Sequence, residues 1–178
     1  DIFFMKRQNI MKPEESYHHG DLLRELIALG LAALERDGAE NISLRSLAEA
    51  AGVSKTAPYR HFRDREDFLG ALANEGFRLL HQTLSESLST AAGQEGKHSS
   101  SGVSALGRGY MKFAVRNPAL YRLMNSPLIC RLEAEKITWA RQAMMLLGST
   151  IAKTRGGSPE SPPDPDSAAA AWGYIHGL

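Results

Sequence analysis

Cysteine is almost absent from this chain: Cys130 stands alone among 178 residues. No internal disulfide can form, as is usual for chains kept in a reducing compartment. Long apolar runs are also missing. No stretch of about eighteen apolar residues occurs, so no bilayer-spanning helix is expected. No basic start leads into an apolar stretch with a small-residue cleavage site, so the sequence predicts a cytoplasmic protein with no membrane partner. Neither sign of charge dominates. Lys and Arg number 21 against 20 Asp and Glu, a net charge of +1. A chain basic throughout would advertise nucleic acid; here only a local patch could serve it. Strand signals are scarce as well, because alternating runs rich in Val, Ile and Thr do not occur.

What is present is an ordinary globular composition, 43% apolar and 23% charged, with room for one large or two small domains and a real core. Helical spacing recurs along it. Leu22, Leu23, Leu26, Ile27, Leu29, Gly30 and Leu34 form an apolar stripe, with Asp21 as its expected N-cap and Gly38 as its stop. Ser43 is expected to cap a short helix through Leu47, Ala48 and Ala51, ended by Gly52. Ser54 opens a second short helix that Pro58 confines, since proline sits only near a helix start. Asp64 caps a long helix to about Ala91, with Glu66 and Asp67 in the first turn. The Gly- and Ser-rich segment from Gly93 to Gly102 is a loop. A helix with Val103, Leu106, Tyr110 and Phe113 on one face follows, broken by Asn117-Pro118. A short helix through Met124 comes next, and then a long one from about Ile129 to Lys153. An irregular proline-rich connection over Gly156 to Asp166 leads to an alanine-rich final helix. The sequence thus predicts an all-α fold of about eight helices.

The segment from Leu44 to Phe62 carries the most information. It is a helix, a glycine turn and a second short element bearing Lys55, Thr56, Tyr59 and Arg60 and no acidic residue. Gly52 stands where a left-handed backbone penalises a Cβ. Ala48 is small where the helices cross, and Val53 plugs their angle. Helical steps from Lys55 put Tyr59 beside it and Thr56 and Arg60 on the adjoining flank, with Pro58 and Phe62 turned to the core. From Val53 to Arg65, Lys55, Arg60, Arg63 and Arg65 face one acid, Asp64. A short helix with outward donors is what the DNA major groove admits. Lys55 and Arg60 can donate to guanine or to phosphates, Thr56 offers a hydroxyl or a methyl, and Tyr59 can donate to a phosphate. Arg65 at the start of the long helix is expected to draw a phosphate with help from the dipole, and Arg45 to reach the backbone or a base. The plainer alternative is a solvated face on a helix pair.

Residues 43 to 69 resemble the DNA-binding segment of the TetR family of bacterial transcriptional repressors. The resemblance rests on Ser43, Leu47-Ala48, Ala51-Gly52-Val53-Ser54, Tyr59, His61-Phe62, Arg65-Glu66 and Leu69, preceded by Tyr17-His18-His19-Gly20-Asp21-Leu22. Gly109 to Ala114, Asn117 to Met124, and the ending Trp172-Gly173-Tyr174-Ile175-His176-Gly177 are similar to one subgroup's ligand domain and its Trp-x-x-x-His-Gly element. Thr56 and Pro58 stand where the family often has glycine and leucine or isoleucine, which bears on base preference. The resemblance implies an N-terminal three-helix helix-turn-helix DNA-binding domain over residues 17–63, after an arm over 1–16. A helical-bundle ligand-binding and dimerisation domain would follow over 64–178. It implies a homodimer on a palindromic double-stranded DNA operator, released by a small apolar or amphipathic effector. The DNA-binding set would be Ser43, Arg45, Ser54, Lys55, Thr56, Ala57, Tyr59, Arg60, His61 and Arg65.

Tyr110, Phe113, Tyr121, Met124, Trp139, Met144, Met145 and Trp172 could line the effector pocket or simply form core, and His176 could contact ligand or be structural. Cys130 lacks a resolving partner, and His18-His19 lacks a third ligand nearby, so no metal is expected. Gly107-Arg108-Gly109 has no preceding strand, and no strained elbow presents a serine. No cofactor or catalytic constellation is expected. The alternative function is a helical small-molecule binding protein without DNA-binding activity.

Overall fold

The computed structural model describes residues 19–93, 102–132 and 137–154, together with Asp166. Among these are seven α-helices and two 3-10 turns, and no strand. The helices are α1 (His19–Asp37), α2 (Leu44–Ala50), α3 (Arg65–Ala92), α4 (Gly102–Arg116), α5 (Pro118–Met124), α6 (Pro127–Cys130) and α7 (Thr138–Thr154). The 3-10 turns are Ala39–Asn41 and Ala57–Arg60. The all-α expectation holds, and α3 is its spine. At 28 residues it runs about 42 Å at the usual rise per residue. It packs on α1, α4, α5, α6 and α7.

Local chemistry explains the boundaries. The Asp67 N–H donates to the Asp64 carboxylate at 2.8 Å, so Asp64 does cap α3. At the other end of the corner, the Val53 N–H donates to Ala48 O at 2.9 Å and the Gly52 N–H to Glu49 O at 3.1 Å, with Gly52 at φ 67°. This paired closure needs a left-handed residue and satisfies two helix-end carbonyls. Ser43 holds the cap position of α2, but its side chain makes no cap hydrogen bond.

Three expectations need correction. α1 begins at His19, so Asp21 lies inside it rather than capping it. The second short helix is one 3-10 turn over Ala57–Arg60. The Tyr59 and His61 N–H groups close onto Thr56 O and Pro58 O three residues back, and Pro58 at the second position fits that turn because a first-turn N–H has no ladder partner. The long helix expected from Ile129 to Lys153 is two pieces, α6 and α7, with residues 133–136 outside the description. The alanine-rich final helix also lies outside the described residues.

Leu26, Phe68 and Leu72 are fully buried and join α1 to α3. Burying each such side chain is worth about 1.5–3 kcal/mol. Phe62 meets Phe68 edge-on with centroids 4.9 Å apart, fastening the end of the corner to the first turn of α3. The expected stripes are narrower than drawn, since Leu23 and Val103 are exposed.

Candidate nucleic-acid interface and effector cleft

Lys55, Thr56, Tyr59 and Arg60 all emerge exposed from the corner, as do Ser54 before them and Arg45 on α2. Tyr59 is a large aromatic that stays 50% exposed. The platform beneath is fixed. Pro58 is buried with less than 2% exposure, Phe62 retains 5%, and Val53 and Ala57 are half-buried against the core. The Ser54 and Thr56 hydroxyls lie 3.2 Å apart, tying the two ends of the turn that precedes the 3-10 element. Outward donors on a buried, proline-stiffened base lose little conformational freedom when they meet a groove.

Ser43 and Ala57 sit half-buried at the base of this surface rather than on it. Two further members of the expected set behave differently. Arg65 turns its guanidinium back: Nε donates to Ile42 O at 3.0 Å, and a terminal nitrogen donates to Ala39 O. It braces the loop between α1 and α2 against the start of α3, adding a second donor at Ala39 O, which also accepts the Ile42 N–H. His61 is half-buried, and its Nε2 is buried without a hydrogen-bond partner among the described residues. It forms part of the wall of a cleft between α1 and α3, lined also by Leu23, Ile27 and Asn74. The ring therefore does not share the exposed face of Tyr59 and Arg60.

The helical body is tied to the corner by a contact that the sequence reading missed. The Glu35 carboxylate on α1 accepts the Leu120 N–H at 3.1 Å and the Ala119 N–H at 3.4 Å, at the start of α5. Those are orphan helix donors, and an anion there also suits the dipole. Only an acid in the last turn of α1 signals this in sequence, and nothing local says which helix it will reach.

The expected effector residues divide. Tyr110, Phe113 and Met124 are buried, and Tyr110 donates its hydroxyl to that of Tyr121 at 3.2 Å across an edge-on ring pair. Burial, with the Tyr121 hydrogen bond and charge behind it, pushes the Tyr110 phenol far above its ordinary value. Neither Tyr110 nor Phe113 is among the described residues that line the cleft of Met124 and Met144. Trp139 is half-buried against His81, with its backbone N–H on Asn74 Oδ1 at 3.0 Å. Met145 is exposed. Trp172 and His176 lie outside the described residues.

Met124 and Met144 do come together, in a cleft of about 310 Å³ between α3, α5, α6 and α7. Phe77, Ile129, Leu132, Ile137 and Ala140 supply its apolar wall, with Asn125, Cys130 and Arg141 as polar members. The volume is at the lower edge of the range for small-molecule sites. Two wall residues rest directly on α3. A Cβ at Gly76 would lie 2.7 Å from the Met124 sulfur, and one at Gly70 would lie 2.8 Å from Leu132 Cδ1. The cleft and the helix that leads to the corner thus have no slack between them. Among the described residues no three His, Cys, Asp or Glu side chains gather as a metal site, and no helix is long and apolar enough to cross a membrane.

Comparison with known proteins bears on both halves. Residues 26–72 match the family model for bacterial regulatory proteins of the tetR family. Residues 103–178 match the tetracyclin repressor-like C-terminal domain. A solved protein of unknown function from Rhodococcus sp. RHA1 is 33% identical over 92% of this chain and 84% of its own, with a TM-score of 0.71. SCO4313, assigned as a regulatory protein, is 20% identical over 93% and 85%, with a TM-score of 0.61. PfmR from Thermus thermophilus, a TetR family transcriptional regulator, is 19% identical over 87% and 82%, with a TM-score of 0.53. The last two likenesses concern fold alone. No curated protein matches the chain.

Proposed function

This chain belongs to the tetR family of bacterial regulatory proteins, a DNA-binding transcriptional regulator by that membership, and we propose that it is a homodimeric repressor released from a palindromic operator by a small apolar or amphipathic molecule. The observation that carries the DNA half is the exposure of Lys55, Thr56, Tyr59 and Arg60 on a corner whose other side is buried through Pro58 and Phe62. Lys55 and Arg60 meet base edges or phosphates, Thr56 a base edge, and Tyr59 a phosphate. Exposed Ser54 and Arg45 add phosphate or base contacts, and Arg65 holds the platform in place.

The effector enters the cleft between α5, α6 and α7. To fit, it displaces Met124 or Leu132, which already touch α3 at Gly76 and Gly70. The push reaches α1 as well, through Glu35 on the first turn of α5. Two recognition elements in a dimer must keep half-sites about one helical turn apart, so a small rotation of each α3 releases them. Such coupling is worth about 1–3 kcal/mol.

The test is selection from random duplexes with the purified protein, followed by gel shift on the enriched sequence and on DNA upstream of its own gene. Enrichment of an inverted repeat supports the reading. A protein that binds small molecules yet enriches no sequence, and shows no salt-dependent DNA binding, is a binding protein of another kind.

A further inference from the structure

The cleft has one charge among its described lining residues, and it is positive. Arg141 stands in the first turn of α7, on the face that also presents Ile137, Ala140 and Met144 to the cleft. No ion pair or hydrogen bond among the described residues engages its side chain. The one side-chain amide of the described lining, Asn125, already uses one of its two Nδ2 hydrogens on Tyr121 O at 2.9 Å. No carboxylate belongs to the described lining. A guanidinium at an otherwise apolar recess draws an anion that presents two oxygens, because its donors are arranged as a fork.

We propose that the effector is an amphipathic anion: an apolar chain or ring in the methionine-lined recess, with a carboxylate or similar oxyanion on Arg141. This rests on the reading of the cleft as the effector site and narrows the class of molecule it takes. Octanoate, an eight-carbon chain ending in a carboxylate, is the simplest probe of that class. Met124 and Met144 are unbranched and adapt to chains of differing shape. The guanidinium lies at the exposed rim, so the anion stays partly hydrated and binding loses little to desolvation.

The experiment compares octanoate, octanol and octylamine by titration calorimetry on the full chain, below micelle formation, for the parent and for Arg141→Gln and Arg141→Lys. Octanoate is expected to bind roughly tenfold tighter than octanol, the scale of one charge-assisted hydrogen bond at a half-open site, and octylamine weakest. Arg141→Gln is expected to bring octanoate down to octanol, while Arg141→Lys keeps most of the preference. Equal binding of the three, tighter octylamine, no binding of octanoate, or an Arg141→Gln variant that keeps the preference overturns the proposal. The same samples are assayed by gel shift with and without ligand. Parent-like DNA binding by Arg141→Gln without ligand shows that it folds. If octanoate binds through Arg141 but leaves the DNA complex intact, the anion site stands and the release mechanism fails.

Discussion

The Glu35 carboxylate accepts the Leu120 N–H at 3.1 Å, so a side chain of the first helix caps a helix 85 residues further along the chain. This is a polar link between the helix that supports the DNA-facing corner and the helix that walls the cleft. Glu35→Ala leaves the first donors of α5 to water and should cost about 0.5–1 kcal/mol, modest because the carboxylate is exposed. Glu35→Gln keeps an acceptor and should cost less. Urea denaturation measures the loss, and faster hydrogen exchange at Leu120 locates it.

Gly52 supplies a second prediction, free of packing effects. Its φ of 67° is left-handed, and a Cβ built there meets nothing within 4 Å. Gly52→Ala should therefore cost about 1–2 kcal/mol from backbone strain alone, and Gly52→Asn less. Thermal unfolding of the two variants checks the order.

Arg65 separates a brace from a phosphate contact. It donates to Ile42 O and Ala39 O, so Arg65→Ala should lower stability by about 1 kcal/mol or more. The salt slope of DNA binding should stay unchanged, whereas loss of a true phosphate contact would flatten it by about one unit. Binding titrations over a range of salt concentrations decide between the two.

Tyr110 ties stability to alkali. Its folded phenol ionises well above the ordinary value of about 10, chiefly because it is buried, so the unfolded chain loses that proton first. The contribution is whole below about pH 10 and is lost as pH climbs toward the raised folded value. Tyr110→Phe should cost under about 1.5 kcal/mol at neutral pH and should blunt the alkaline decline. Paired denaturation curves at neutral and alkaline pH measure both effects.

Where the cues were local, the sequence was legible. Asp64 ahead of an acidic first turn marked the start of α3, and Gly52 after an apolar run marked the end of α2, because caps and left-handed turns are set by a few neighbouring residues. Lys55, Thr56, Tyr59 and Arg60 could be placed outward for the same reason. The remainder depended on tertiary packing. Tyr110 and Phe113 carry the right side chains for a pocket and are buried, which the sequence alone does not distinguish. Phe77, Ile129, Ile137 and Arg141 come together only when α6 and α7 fold against α3. Pro58 is visible in the sequence, yet the 3-10 turn in place of an α-helix is not, because few residues remain before Phe62 enters the core. Arg65 and Glu35 look like surface charges until the chain brings distant backbone groups to them.

The central claim is that Lys55 and Arg60 face DNA from a rigid corner. It is tested most directly by measuring sequence preference for the parent, Lys55→Ala and Arg60→Ala in parallel selections from random duplexes. The account predicts an inverted repeat for the parent. Each variant should lose discrimination of about 1–3 kcal/mol at one symmetric pair of positions where its side chain reads a base, or bind uniformly more weakly with a shallower salt slope where it meets a phosphate. Variants that enrich the same repeat with the parent's affinity, discrimination and salt slope would contradict it.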